Sequence, residues 1–167
     1  MITGPSRWYT IGALLVTAVQ TGLSNSVVRA GQVPGDIAWD DCDCGGVLAV
    51  TTPRIFLSEV FPQESEGPIG SRCRAPYEVG EYTVSVIRCA PQPVGQDMAP
   101  SAARLDDAAA LLLRDMAETL DALSAALCAL EDNDSISDYF VTPVASAGPE
   151  GACVGFVARV LIALDRM

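Results

Sequence analysis

The sequence predicts an α+β domain: a single, mainly antiparallel sheet packed by an N-terminal helix and a long central helix. Three observations carry this expectation. Apolar residues recur at helical spacing over residues 6–22 and again, for longer, over residues 101–130, and runs with strand character lie between and after these segments. At 167 residues the chain is long enough for one domain with its own core, so residues 1–167 are read as one unit.

The first segment has a superficial likeness to a secretory signal, with Arg7 ahead of an apolar stretch. No small-x-small cleavage pattern follows in Thr21-Gly22-Leu23-Ser24, and the segment is shorter than the roughly 20 apolar residues that cross a bilayer. It is read instead as an amphipathic helix capped by Ser6, burying Trp8, Ile11, Leu15, Ala18, Val19 and Gly22. Residues 23–46 carry Gly31, Pro34, Gly35 and an acidic turn, and read as connecting loop. Residues 47–50 and 54–61 read as strand, with Pro53 marking an edge, a bulge or a break between them. Residues 61–77, with Gly67, Pro68 and Gly70, form a long arm with little capacity to pack on itself.

Residues 81–89 alternate, with Tyr82, Val84 and Val86 on one face and Thr83, Ser85 and Ile87 on the other. Pro91 and Pro93 end that strand, and Ser101 caps the central helix. Leu105, Ala109, Leu112, Met116, Leu120, Leu123, Leu127 and Leu130 form the helix stripe expected to face the sheet. A closing hairpin spans residues 136–164, with strands at 136–144 and 153–164 and a turn at 146–151. Its last strand carries Val154, Phe156, Val160 and Ile162 on one face and Val157 and Leu161 on the other, which predicts cover on both sides.

The charge balance narrows the function. There are 21 acidic residues against 10 basic ones, a net charge of -11, with no lysine and no histidine. An acidic surface repels phosphate backbones, which disfavours a protein that grips nucleic acid but allows one that lets a duplex slide past. Lack of histidine removes the commonest general base and metal ligand. The acidic groups Asp106/Asp107, Asp132/Asp134 and Glu64/Glu66 read as solvated helix ends and loops, and Asp132/Asp134 lack the glycine and terminal glutamate of a calcium loop. No nucleophile–base pair, phosphate loop or paired-carboxylate motif is present, so the expectation is a protein that is not an enzyme and uses no cofactor.

Six cysteines leave several states open. A zinc site from Cys42, Cys44, Cys73 and Cys89 is the metal alternative, although Cys-x-Cys is a weaker signal than Cys-x-x-Cys. One or more disulfides, or free buried thiols, are the others. Cys128 and Cys153 are read as small buried hydrophobes.

Four segments resemble the tail terminator, or head-tail connector, family of siphophages that infect actinobacteria. They are Ala38-Trp39-Asp40-Asp41-Cys42-Asp43-Cys44-Gly45-Gly46 leading into a strand, Val86-Ile87-Arg88-Cys89-Ala90-Pro91, Asp115-Met116-Ala117, and Gly148-Pro149-Glu150-Gly151-Ala152-Cys153-Val154-Gly155. The resemblance runs from about residue 5 to the C-terminus, and the predicted order of elements is similar to the terminator fold. It implies a structural virion protein at the neck, present in the host cytoplasm during assembly. It further implies a homohexameric ring that caps the tail tube, contacts tail tube and head-completion proteins, and passes genomic DNA through its lumen without sequence-specific binding or any membrane partner. The arm residues Phe61, Pro62, Ile69, Arg72 and Arg74 are the expected contact points. A stopper or adaptor of the same neck, a small cysteine-rich zinc-binding module and a secreted protein are the competing readings.

Overall fold

The computed structural model describes residues 6–35, 37, 42, 44–65, 75–93, 95 and 98–166. Helix α1 is Arg7–Gly22 and helix α2 is Ala102–Asp132; the strands are β1 (Arg29–Gln32), β2 (Val47–Ser58), β3 (Tyr77–Cys89), β4 (Asp138–Val141), β5 (Ala145–Glu150) and β6 (Cys153–Asp165). They form the expected α+β architecture, with both helices on one face of a six-stranded sheet. Strand order is β1-β2-β3-β6-β4, and β5 also pairs with β6.

Both helices start where side-chain caps allow. Ser6 and Ser101 accept hydrogen bonds from the Tyr9 and Arg104 amides, satisfying donors that the first helical turn leaves unpaired. Trp8, Ile11, Leu15 and Val19 of α1 are buried as the spacing predicts, against Leu48, Val50, Tyr82, Val84, Val86, Phe156, Val160 and the α2 residues Leu123 and Leu127. The indole of Trp8 lies so close over Gly80 that a Cβ there would stand 2.6 Å from its ring carbons. Its Nε1 donates to Glu78 Oε1 at 2.5 Å, and the Tyr82 hydroxyl donates to the Trp8 carbonyl at 2.6 Å. Burial raises the Tyr82 phenol well above its ordinary range.

Some sequence expectations need correction. The stretch read as loop contains β1, which pairs in parallel with Val47–Val50 of β2, so the sheet is mixed. Arg-Ala-Gly-Gln has neither alternation nor β-branched residues, and only its placement beside β2 makes it a strand. Of the alternatives open at Pro53, the bulge fits: β2 is continuous through it, and its register with β3 shifts between Thr51 and Arg54. Its neighbour β1 reaches only Val50, so Pro53, which lacks an N–H, lies past the segment paired on both sides.

The closing hairpin is also more divided than predicted. Residues 145–150 are strand, the turn is Gly151-Ala152, and β4 and β5 lie in succession along the same edge of β6, joined by Thr142 N donating to Arg159 O at 2.9 Å. Finally, the two faces of β6 are covered unequally: Phe156, Ala158, Val160 and Ile162 are buried under the helices, whereas the other face has Cys153 and Ala163 buried in small clusters at its ends and Val157 and Leu161 half-buried, with Arg159 exposed, between them.

The stripe on α2 departs from expectation in its first half. Asp115, Thr119, Leu123 and Leu127, four residues apart, are the buried positions, while Leu105 and Leu120 are exposed. Helix α1 approaches α2 where a Cβ on Gly22 would stand 2.7 Å from Ala122 Cβ, and Glu118 accepts from both the amide and the hydroxyl of Ser24. Those hydrogen bonds lower the Glu118 pKa. Because α1 supplies four core side chains, Leu15→Ala is expected to lower the free energy of unfolding by about 2–5 kcal/mol in chemical denaturation. A loss below about 0.5 kcal/mol, the size of an ordinary surface substitution, would show that α1 does not pack as described.

Candidate functional site

Strand β3 ends at a point where several segments meet. Alternation along the strand carries Arg88 to the same face as Tyr82, Val84 and Val86, under the helices, and Cys89 to the opposite face. Arg88 is therefore buried and needs partners. Its Nε donates to Asp115 Oδ2 of α2 at 2.8 Å, one terminal nitrogen donates to Asn25 O at 2.6 Å, and the other donates to Ser26 O at 3.1 Å and Gly45 O at 3.3 Å. Gly46, with φ 87, lies directly beneath the guanidinium, where a Cβ would stand 2.6 Å from a terminal nitrogen. One side chain thus ties β3 to α2, to the segment after α1 and to the turn before β2.

Asp115 is the opposite number of this arginine and is itself fully buried. Burial raises its pKa, and the hydrogen bond and charge of Arg88 oppose that rise without cancelling it. Asp115 Oδ1 and Thr119 Oγ1, one helical turn apart, have no hydrogen-bond partner. The sequence alone places neither, although Arg88 extends the alternation of the buried face and Asp115 falls four residues before Thr119 and eight before Leu123.

On the other face of β3, Cys44 is bonded to Cys89 and Cys42 to Cys153. Cys89 and Cys153 are register partners on β3 and β6, so the residues before β2 are fastened back over the end of the sheet. Cys42, Cys153 and Ile87 pack there with Ile37 and Val47. The cysteine expectations change accordingly. Cys153, read as a buried hydrophobe, is buried but bonded, because its place opposite Cys89 is set by a pairing across 64 residues that spacing does not reveal. Cys42, Cys44 and Cys89 of the zinc alternative do come together, with Cys153 beside them; Cys73 lies outside the described residues. With these sulfurs oxidised, the described residues hold no cluster of three or more His, Cys, Asp and Glu placed for a metal ion. Cys128 is exposed, one position off the buried stripe, and lies 3.0 Å from the Tyr139 hydroxyl, a contact that pushes that phenol up to about 12.

The arm expectations divide in the same way. Phe61 does not project: it is half-buried on a small cluster of Phe56, Val79 and Ala163. Pro62 is exposed in the turn that follows β2. Ser65 N returns to Leu57 O at 2.9 Å, and Arg54 binds both Glu64 and Glu81, which raises its own pKa. An arm opening tied to its strand in this way explains why Phe61 is not free. Ile69, Arg72 and Arg74 lie outside the described residues.

Apolar side chains are also exposed along the first half of α2. Leu105 and Leu113 are 51% and 64% exposed. A cleft of about 420 Å³ separates this part of the helix from the end of β3 and the β5–β6 turn, lined by Leu105, Ala109, Leu112, Pro91, Pro149 and Val154. Across the sheet, a second and more polar hollow of about 510 Å³ is lined by Thr51, Glu81, Thr83, Ser85, Val157 and Arg159.

No protein-family model and no curated protein matches this sequence. No helix among the described residues is long and apolar enough to cross a membrane.

Removing one partner of a buried ion pair leaves the other uncompensated, so Arg88→Met is expected to cost about 3–5 kcal/mol in urea denaturation at neutral pH. The pH dependence follows from Asp115, whose folded-state pKa already lies above its unfolded value. Its ionised form costs stability above the folded pKa, and the cost disappears as protonation proceeds on acidification. The deficit of the variant is therefore expected to shrink between pH 7 and pH 5. A deficit that grows on acidification would contradict an uncompensated Asp115 carboxylate.

Proposed function

We propose that this chain is a non-enzymatic ring subunit of a phage neck, of the tail-terminator type, which caps the tail tube and joins it to the head-completion proteins while DNA passes through the lumen. Its place is the neck of the virion, with assembly in the host cytoplasm. The observation that carries the reading is the exposed apolar half of α2, with Leu105 and Leu113 in solvent beside an apolar cleft. Exposed apolar surface of this kind marks a contact with another protein. A ring closes through two different patches on each subunit, and the α2 ridge is one candidate patch. The net charge of -11 suits a conduit that must not grip DNA.

Capping on this reading is a matter of contact. The ring covers the surface on which another tube ring would polymerise, and no bond is made or broken. The oxidised cysteines favour a second reading, a protein matured in an oxidising compartment, since disulfides persist there and are rare in the cytosol.

Light scattering and negative-stain microscopy of the purified chain are expected to show a closed ring. The double substitution Leu105→Glu, Leu113→Glu is expected to return a folded monomer, because both side chains are exposed and outside the core. A wild-type chain that stays monomeric alone and inside purified virions would overturn the reading.

A further inference from the structure

We propose that, when reduced, Cys42, Cys44, Cys89 and Cys153 form a four-thiolate site for a zinc ion. The inference does not rest on the neck-protein reading. Four sulfurs at about 2.3 Å from a zinc ion stand about 3.8 Å apart along each edge of their tetrahedron. Cys42 Sγ and Cys89 Sγ belong to different disulfides and are 3.8 Å apart, one such edge. Each of the remaining two sulfurs is bonded to one of these, so all four lie in one small cluster.

The scaffold around that cluster suits a closed structural site. Cys89 and Cys153 are held opposite one another by the β3–β6 ladder, on the face away from Arg88. Cys42 and Cys44 come from the turn that Arg88 grips through Gly45 O from the other side of the sheet. Ile37, Val47 and Ile87 wall the cluster with apolar surface. Two ligands on a rigid ladder and two on an anchored turn supply the four converging thiolates that an all-cysteine zinc site needs.

In a reducing compartment each disulfide takes two electrons and two protons from one dithiol, which leaves as a cyclic disulfide. The four thiols then release four protons as the ion binds four thiolates. Zinc loss and oxidation restore the two disulfides, with the electrons passing to a disulfide of the surrounding thiol pool. In either state Cys42 and Cys44 stay fastened to the end of the sheet.

The test uses the full chain, reduced without oxygen by a phosphine, which takes oxygen from water and becomes the phosphine oxide. Titration with cobalt(II) is expected to produce the absorption of a tetrahedral all-sulfur site, saturating at one ion per chain and displaced by zinc. Cys89→Ser and Cys153→Ser are each expected to weaken zinc binding more than about a hundredfold, beyond the usual effect of losing a supporting hydrogen bond to a ligand. Cys128→Ser, altered at an exposed thiol away from the cluster, is expected to bind as the wild type does. Should a serine variant fail to fold, the cobalt spectrum of the wild-type chain decides alone. Absence of thiolate-to-cobalt absorption in the reduced wild type, or an equal signal from a folded Cys153→Ser chain, would overturn the proposal.

Discussion

A single guanidinium at the end of the third strand holds the parts of this domain in register. Arg88 is buried because strand alternation carries it to the helix side, and once there it must find acceptors for its donors. It takes one carboxylate from α2 and three carbonyls from segments that have no regular structure. The neighbouring residue works from the opposite face: Cys89 holds Cys44, one residue from the Gly45 carbonyl that Arg88 binds. The turn before β2 is thereby gripped on both sides of the sheet, which fixes where β2 begins. Val28 N donates to Gly45 O and Gly46 O, and this contact leads directly into β1, so the parallel edge depends on the same turn.

The fold was largely legible because its strongest signals are local. Ser6 and Ser101 announce the helices, and the periodic patterns give β3 and the buried face of α1. What was not legible depends on long-range pairing. Strand β1 has no strand character of its own, and the register between Cys89 and Cys153 is a property of the finished ladder. The α2 stripe misled in its first half because leucine and alanine there have the right spacing, yet Leu105 faces an open cleft beside the β5–β6 turn. Conversely, Asp115 lies on the buried stripe although its chemistry argues for solvent. Only the arginine one strand away accounts for it.

That mismatch between pattern and burial is what gives the functional reading its shape. The apolar helical surface left in solvent, with Leu105 on the rim of an apolar cleft, is the feature on which the proposed contact role rests. The cysteine cluster lies at the same end of the molecule as that cleft, since Ala90 N binds Ala152 O at 2.7 Å between them. The state of the four sulfurs therefore bears on the shape of the candidate contact surface, and a site that stays closed as two disulfides or as one metal centre keeps that shape in either compartment.

Amide hydrogen exchange on the wild-type chain and on Arg88→Met tests most directly whether the guanidinium is the anchor. Expected is a selective loss of protection at Val28, at Val33, whose amide binds Val50 O, and through β1 and the start of β2, with the β3–β6 ladder protected as before. Unchanged exchange at Val28 and Val33, or a uniform loss across the whole sheet, would contradict it.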